Sequence, residues 1–135
     1  MHRRSFLTVC GAASLSAACA RLSTVAGSLD EGRIIVDRRE FAARDGVLVE
    51  HPSLAFPIYV HHRGGEEFTA VLTRCMHRGC TVEPADGRLV CPCHGSEYSL
   101  AGVVLKGPTE LPLHTFQVRA EADRLYILDI DRGPK

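Results

Sequence analysis

The sequence carries no excess of charge. Its 16 basic and 16 acidic residues cancel over 135 positions, so it offers no polybasic footprint for nucleic acid or an anionic membrane. It also lacks an apolar run long enough to cross hydrocarbon comfortably, which takes ~20 residues. The nearest approach is the stretch 6–20, fifteen apolar or small residues. No internal repeat and no low-complexity segment is present. Collagenous, coiled-coil and multi-pass membrane architectures are therefore excluded. What is there is the composition of one folded domain, 45% hydrophobic and 24% charged, with six cysteines. So many cysteines in so short a chain require a redox or metal explanation.

Residues 1–20 differ from the rest. Their only formal charges are Arg3 and Arg4, followed by Phe6-Leu7, an Ala/Ser/Gly-rich stretch to Ala20, and then Arg21. Arg3-Arg4-Ser5-Phe6-Leu7 resembles a bacterial twin-arginine export signal, a route that carries folded proteins. The expectation is an exported protein at the periplasmic face of the cytoplasmic membrane, anchored or soluble. Ser16-Ala17-Ala18-Cys19 loosely resembles a lipoprotein processing site that would lipidate Cys19, although Ser16 stands where leucine is usual. Cleavage near Ala18–Ala20 or retention as an anchor are the alternatives. Membrane association, where it exists, runs through this segment or its lipid. Cys10, inside the apolar run, is given no chemistry.

Residues 21–32 read as a flexible linker, with Ser23, Thr24, Gly27, Ser28 and Gly32. From Arg33 the chain offers short β-type runs between turn residues. These are Ile34–Val36, Val47–Val49, Ile58–His62, Phe68–Thr73, Arg88–Val90, Thr115–Arg119 and Leu125–Asp129. Gly64-Gly65 and Asp86-Gly87 are hairpin signals, and Ala120–Arg124 reads as the turn of a closing hairpin. Only residues 37–45 have helical character. Seven or so short strands with frequent turns predict an all-β, antiparallel sandwich or partly open barrel over residues 33–131.

Two clusters carry the chemistry: Cys75-Met76-His77-Arg78-Gly79-Cys80 and Cys91-Pro92-Cys93-His94-Gly95-Ser96-Glu97-Tyr98. The ten residues between them include the Asp86-Gly87 turn, so one tip can hold both. Each supplies one Cys and one His at short spacing, Cys75 with His77 and Cys91 with His94. Two thiolates and two imidazoles suit tetrahedral zinc in a structural module. They equally suit a [2Fe–2S] centre with both thiolates on one iron and both imidazoles on the other. Cys80 and Cys93 weigh toward the second, because a zinc site has no use for two further cysteines. His51, His61, His62 and His114 have no matching box and read as surface or strand residues.

The boxes resemble those of the Rieske iron–sulfur proteins, in particular the disulfide-containing kind of cytochrome bc-type complexes. The likeness runs over Cys75, His77, Gly79, Cys80, Cys91, Pro92, Cys93, His94, Gly95, Ser96 and Tyr98. It implies a Rieske-type β fold with a small cluster-binding subdomain formed by two loops (about 75–98). It implies one [2Fe–2S] cluster, with Cys75 and Cys91 on the inner iron, His77 and His94 on the outer, and a Cys80–Cys93 disulfide. Gly107-Pro108 resembles the proline loop (about 106–109) that covers the cluster from a third side. Ser96 Oγ would donate to a bridging sulfide and Tyr98 OH to the sulfur of Cys75. Both donors favour the reduced state, so the potential is expected toward the top of a range of roughly −150 to +300 mV.

The implied function is one-electron transfer as the iron–sulfur subunit of a quinol-oxidising, quinol–cytochrome c reductase-like oxidoreductase. Its partners would be cytochrome or other complex subunits and a quinol. His94, and next His77, would contact that quinol. Arg78 departs from the pattern, since that position is often apolar in quinol-oxidising members; a charge there could steer an anionic partner. A small Rieske subunit of an arsenite oxidase-like enzyme and a stand-alone carrier are the alternatives. A ring-hydroxylating oxygenase fails on length, because the residues after the second box cannot form a mononuclear iron domain.

Overall fold

Alternation along two neighbouring segments sets the architecture. In Ile58-Tyr59-Val60 and Ala70-Val71-Leu72 all six side chains are buried, and successive strand residues point to opposite faces. This hairpin therefore lies between two hydrophobic cores, which explains why it reads as a continuous apolar run rather than a half-polar one. Ile58, Val60, Ala70 and Leu72 enter the larger core, whereas Tyr59 and Val71 enter the smaller.

The computed structural model describes residues 22–132. The first strands are β1 (Ser23–Ala26), β2 (Ser28–Asp30), β3 (Arg33–Asp37), β4 (Gly46–Glu50), β5 (Ile58–Gly64) and β6 (Glu67–Leu72). They are followed by β7 (Glu83–Ala85), β8 (Arg88–Val90), β9 (Glu97–Ser99) and β10 (Val104–Lys106). The chain closes with β11 (Thr115–Phe116), β12 (Val118–Ala120) and β13 (Arg124–Ile127). Two sheets, ordered β1-β4-β5-β6-β11 and β12-β13-β3-β2, enclose the larger core. The third, β10-β9-β8-β7, forms a small subdomain over the other face of the β5–β6 hairpin. Burying each large aliphatic side chain in these cores contributes ~1.5–3 kcal/mol. No helix among the described residues is long and apolar enough to cross a membrane.

The expected all-β class holds, with three corrections. Residues 21–32, expected as a flexible linker, carry two strands. β1 pairs in parallel with β4, Ser23 opposite Val47 and Ala26 opposite Glu50, and β2 pairs with β3. The β2–β3 turn is Glu31-Gly32, both at positive φ (47° and 75°), the backbone of a tight hairpin. A parallel partner more than twenty residues away leaves no local pattern to read. Between the strands, Gly27 crosses from one sheet to the other. A Cβ there would collide with Ile34 Cγ2 and Val49 Cγ1, so only glycine lets the sheets close at this corner.

The second correction concerns residues 37–45, where the helical character reduces to one 3-10 turn, Arg38–Phe41. Asp37 caps it, accepting from the Arg39 N–H at 2.8 Å. The run Thr115–Arg119 likewise divides: β11 pairs with β6 and β12 with β13, so the chain changes sheets at Gln117. Both changes of sheet produce a closed sandwich corner rather than a break. The Gly64-Gly65 and Asp86-Gly87 turns lie where the sequence places them, all four residues at positive φ. The export segment, with Cys10 and Cys19, lies outside the described residues.

Candidate metal centre

Both cysteine–histidine loops are built on the same backbone pattern. Loop one joins β6 to β7, and loop two joins β8 to β9. In the first, the Cys75 N–H donates to the Cys80 carbonyl at 2.8 Å, and the Gly79 N–H donates to the Cys75 carbonyl at 2.8 Å. In the second, the Cys91 N–H donates to the Ser96 carbonyl at 2.8 Å, and the Gly95 N–H donates to the Cys91 carbonyl at 3.0 Å. Gly79 and Gly95 share a left-handed backbone, φ 76° and 77°. Nothing lies within 4 Å of a Cβ built on Gly95; glycine is there for its φ, not for space.

Cys75 and Cys91, each 2% exposed, belong to the smaller core together with Tyr59, Val71, Val82, Leu89, Tyr98 and Leu113. Neither is in the disulfide, so both are free thiols. Burial would raise the Cys75 thiol, but the Tyr98 hydroxyl, the His77 N–H, Cys91 and the Arg78 N–H together bring it below its ordinary value. Burial and then the neighbouring Cys75 push Cys91 up.

His77 and His94 stand outside this buried pair, both exposed, with ring centroids 4.9 Å apart and planes at 87°. The sequence-predicted set is therefore brought to one place: two sulfurs inside, two imidazoles outside. Cys80 and Cys93 form a disulfide joining the loops, with Cα atoms 6.5 Å apart. Closing a loop of this length contributes ~3 kcal/mol in the chain-entropy account. Cys91 Sγ lies within 4.8 Å of both disulfide sulfurs. Those two are bonded to each other, so that group of three is not a ligand set.

The predicted hydrogen-bonding residues are also in place. Tyr98 OH lies 3.4 Å from Cys75 Sγ and accepts from the Met76 N–H at 3.2 Å. With that N–H supplied, the phenol proton is left to donate to sulfur. Burial, then Cys75, pushes the phenol above its ordinary value, which keeps it a donor. Ser96, fully buried, accepts from the Thr109 N–H at 3.1 Å, leaving its own proton free. Thr109 immediately follows Gly107-Pro108, so the proline loop is tied directly to loop two. Sequence reading missed Thr109 and the Met76 N–H, because a backbone donor has no residue signature.

The donor set suits a [2Fe–2S] cluster: two buried free thiols, two exposed imidazoles, and hydroxyl donors whose own acceptor sites are filled. Residues 29–117 match the family model described as the Rieske [2Fe-2S] domain. The chain belongs to the Rieske [2Fe-2S] domain family. One such cluster is its cofactor, and electron transfer by it is the family's chemistry.

Among relatives, the cytochrome b6-f complex iron-sulfur subunit of Chlorobaculum thiosulfatiphilum is 42% identical over 72 residues, 52% of this chain and 39% of that protein. The Chlorobaculum tepidum subunit is 38% identical over 72 residues, with the same shares covered. The match thus spans about two-fifths of these relatives' length. The cyanobacterial plasma membrane Rieske protein of Synechocystis PCC 6803 superposes with a TM-score of 0.58 at 30% identity, over 68% of this chain and 97% of that one.

The shared loop backbone has a direct test. Gly95→Ala should cost ~1–2 kcal/mol of stability through the left-handed φ and lower the iron held per chain. Gly95→Asn, which tolerates that conformation better, should lose less of both. Thermal melts and iron analysis read the pair; equal behaviour of the two variants would contradict the conformational explanation.

Proposed function

We propose that Cys75 and Cys91 hold the inner iron of the cluster and His77 and His94 the outer one. In this reading the protein is the iron–sulfur component of a quinol-oxidising respiratory oxidoreductase, working at the periplasmic face after export by the twin-arginine route. The observation that carries it is the division of the four side chains into a buried thiol pair and an exposed imidazole pair. When bound, the cluster supplies a one-electron acceptor. The chain supplies the rest.

His94 and His77 are the side chains a quinol hydroxyl can reach, because both lie on the exposed tip. An imidazole there accepts a hydrogen bond from the hydroxyl and takes its proton as the electron leaves. Tyr98 OH is placed to donate to Cys75 Sγ, and the free proton of Ser96 would donate to a sulfide of the bound cluster; such bonds strengthen as negative charge accumulates. The relatives named above as b6-f subunits support a place in a complex of this kind.

Arg78 favours a second reading. It is exposed beside His77 and has no ion-pair partner among the described residues. A cation at the tip suits a carrier or small subunit that docks an anionic redox partner, and the ionic-strength dependence of its electron transfer would discriminate.

A redox titration followed by electron paramagnetic resonance tests the leading reading. The potential should lie high in the family's range and fall as pH rises, by up to ~59 mV per unit for each coupled proton. A low potential that ignores pH would overturn quinol chemistry. Tyr98→Phe and Ser96→Ala should each lower the potential by roughly 40–90 mV, the equivalent of ~1–2 kcal/mol per hydrogen bond, with the cluster retained. Unchanged potentials in both would remove the sulfur hydrogen-bond argument.

Export has its own test. Changing Arg3 and Arg4 together to lysine should hold the protein on the cytoplasmic side in cell fractionation. Unimpaired export would contradict a twin-arginine signal.

A further inference from the structure

The segment tied to loop two, residues 102–113, is held down by a polar residue. A hydrogen bond from the Leu113 N–H to the Gly102 carbonyl at 2.9 Å joins its two ends. Its first half is the edge strand β10, paired with β9. Its large apolar side chains turn outward: Val103, Leu105 and Leu111 are each more than half exposed. Of the described residues between Gly102 and Leu113, Thr109 alone is buried. Past Lys106, apolar burial therefore does not fix the segment, and Thr109 takes that place.

Thr109 makes two hydrogen bonds, one inward and one along the chain. Its N–H donates to Ser96 Oγ at 3.1 Å, and its own hydroxyl donates to the Leu111 carbonyl at 3.1 Å. The second bond closes a tight turn over Thr109, Glu110 and Leu111, the local bond by which threonine fixes nearby backbone. The first fills an acceptor position of the Ser96 hydroxyl, which would otherwise be free to rotate. Thr109 is 5% exposed and Ser96 fully buried, so water does not readily replace the inward bond.

We propose that Thr109 is a positioning residue for electron transfer. Its hydroxyl holds the turn, the turn aims the N–H at Ser96, and that N–H fixes the direction in which Ser96 offers its proton to the cluster. The potential of the bound cluster then depends on a side chain that does not touch it. Valine keeps the shape of threonine and lacks the donor, whereas serine keeps the donor and lacks the methyl group. The two substitutions therefore separate the hydroxyl from packing.

The inference rests on the reading of Ser96 as a donor to a sulfide of the cluster, and the experiment separates the two. Cluster-loaded, full-length protein is compared as wild type, Ser96→Ala, Thr109→Val, Thr109→Ser and the double variant Ser96→Ala/Thr109→Val. Redox titration follows iron analysis of each. Thr109→Val should lower the potential, by less than Ser96→Ala does, and Thr109→Ser should stay at the wild-type value. The double variant should match Ser96→Ala alone, because residues that act through one bond are not additive. Hydrogen exchange, read by mass spectrometry with fragmentation, follows the bond itself. The amide at position 109 should exchange about fivefold faster in Ser96→Ala and in Thr109→Val than in the wild type. If Thr109→Val fails to hold iron, Thr109→Ala makes the same comparison. An unchanged potential in Thr109→Val while Ser96→Ala lowers it, or two shifts that add in the double variant, would overturn the positioning role and leave the Ser96 reading standing. A fall in Thr109→Ser as large as in Thr109→Val would assign the effect to packing and overturn it too. No shift in Ser96→Ala would overturn both readings.

Discussion

The site depends on one backbone constraint, used twice. In each loop one buried cysteine is held at both ends, its N–H to the carbonyl five residues on and its carbonyl to the N–H of a left-handed glycine. These bonds aim Cys75 and Cys91 inward, into a core they share with Tyr98 and Leu89, rather than into solvent, where short polar loops usually point. The rest follows from that inward aim. His77 and His94, each between one of these cysteines and its glycine, are left exposed. The disulfide then ties the two outer surfaces together.

A site on loops is only as well fixed as the body beneath it. Here the connection is the β5–β6 hairpin, whose alternate residues belong to different cores. Tyr59 and Val71 pack beneath the thiols, while Ile58, Val60, Ala70 and Leu72 pack into the sandwich. A displacement of the small subdomain would disturb both cores at once, and dense interiors resist such movement. The proline loop adds a third attachment through the Thr109 N–H to Ser96. Preorganised donors of this kind cost no rearrangement when charge arrives.

Most of the site was legible in the sequence because its chemistry is carried by residue identity at short spacing. Cys75, His77, Cys91 and His94 stand together in space as their boxes imply. Tyr98 and Ser96 lie at the offsets read from the resemblance. Hairpins with glycine pairs were equally plain, since positive φ has a residue signature. What stayed hidden was long-range or backbone-borne. The parallel pairing of β1 with β4 has no local pattern, so residues 21–32 looked like a linker. The sheet change at Gln117 interrupts a run whose side chains still alternate. Helical character at 37–45 gave way because Asp37 caps only a single turn before the chain must join β4. The Met76 and Thr109 N–H groups, which complete the hydrogen bonding of Tyr98 and Ser96, could be found only in three dimensions.

The central claim is that one cluster is shared by two buried thiolates and two exposed imidazoles. Pulsed electron paramagnetic resonance of the reduced, purified protein tests it most directly, because nitrogen ligands couple to the unpaired electron. The expected result is a rhombic signal with two directly coordinated nitrogens, both lost together with the cluster when His77 or His94 is replaced by alanine. A cluster signal without nitrogen coupling, or colourless protein carrying zinc, would contradict it.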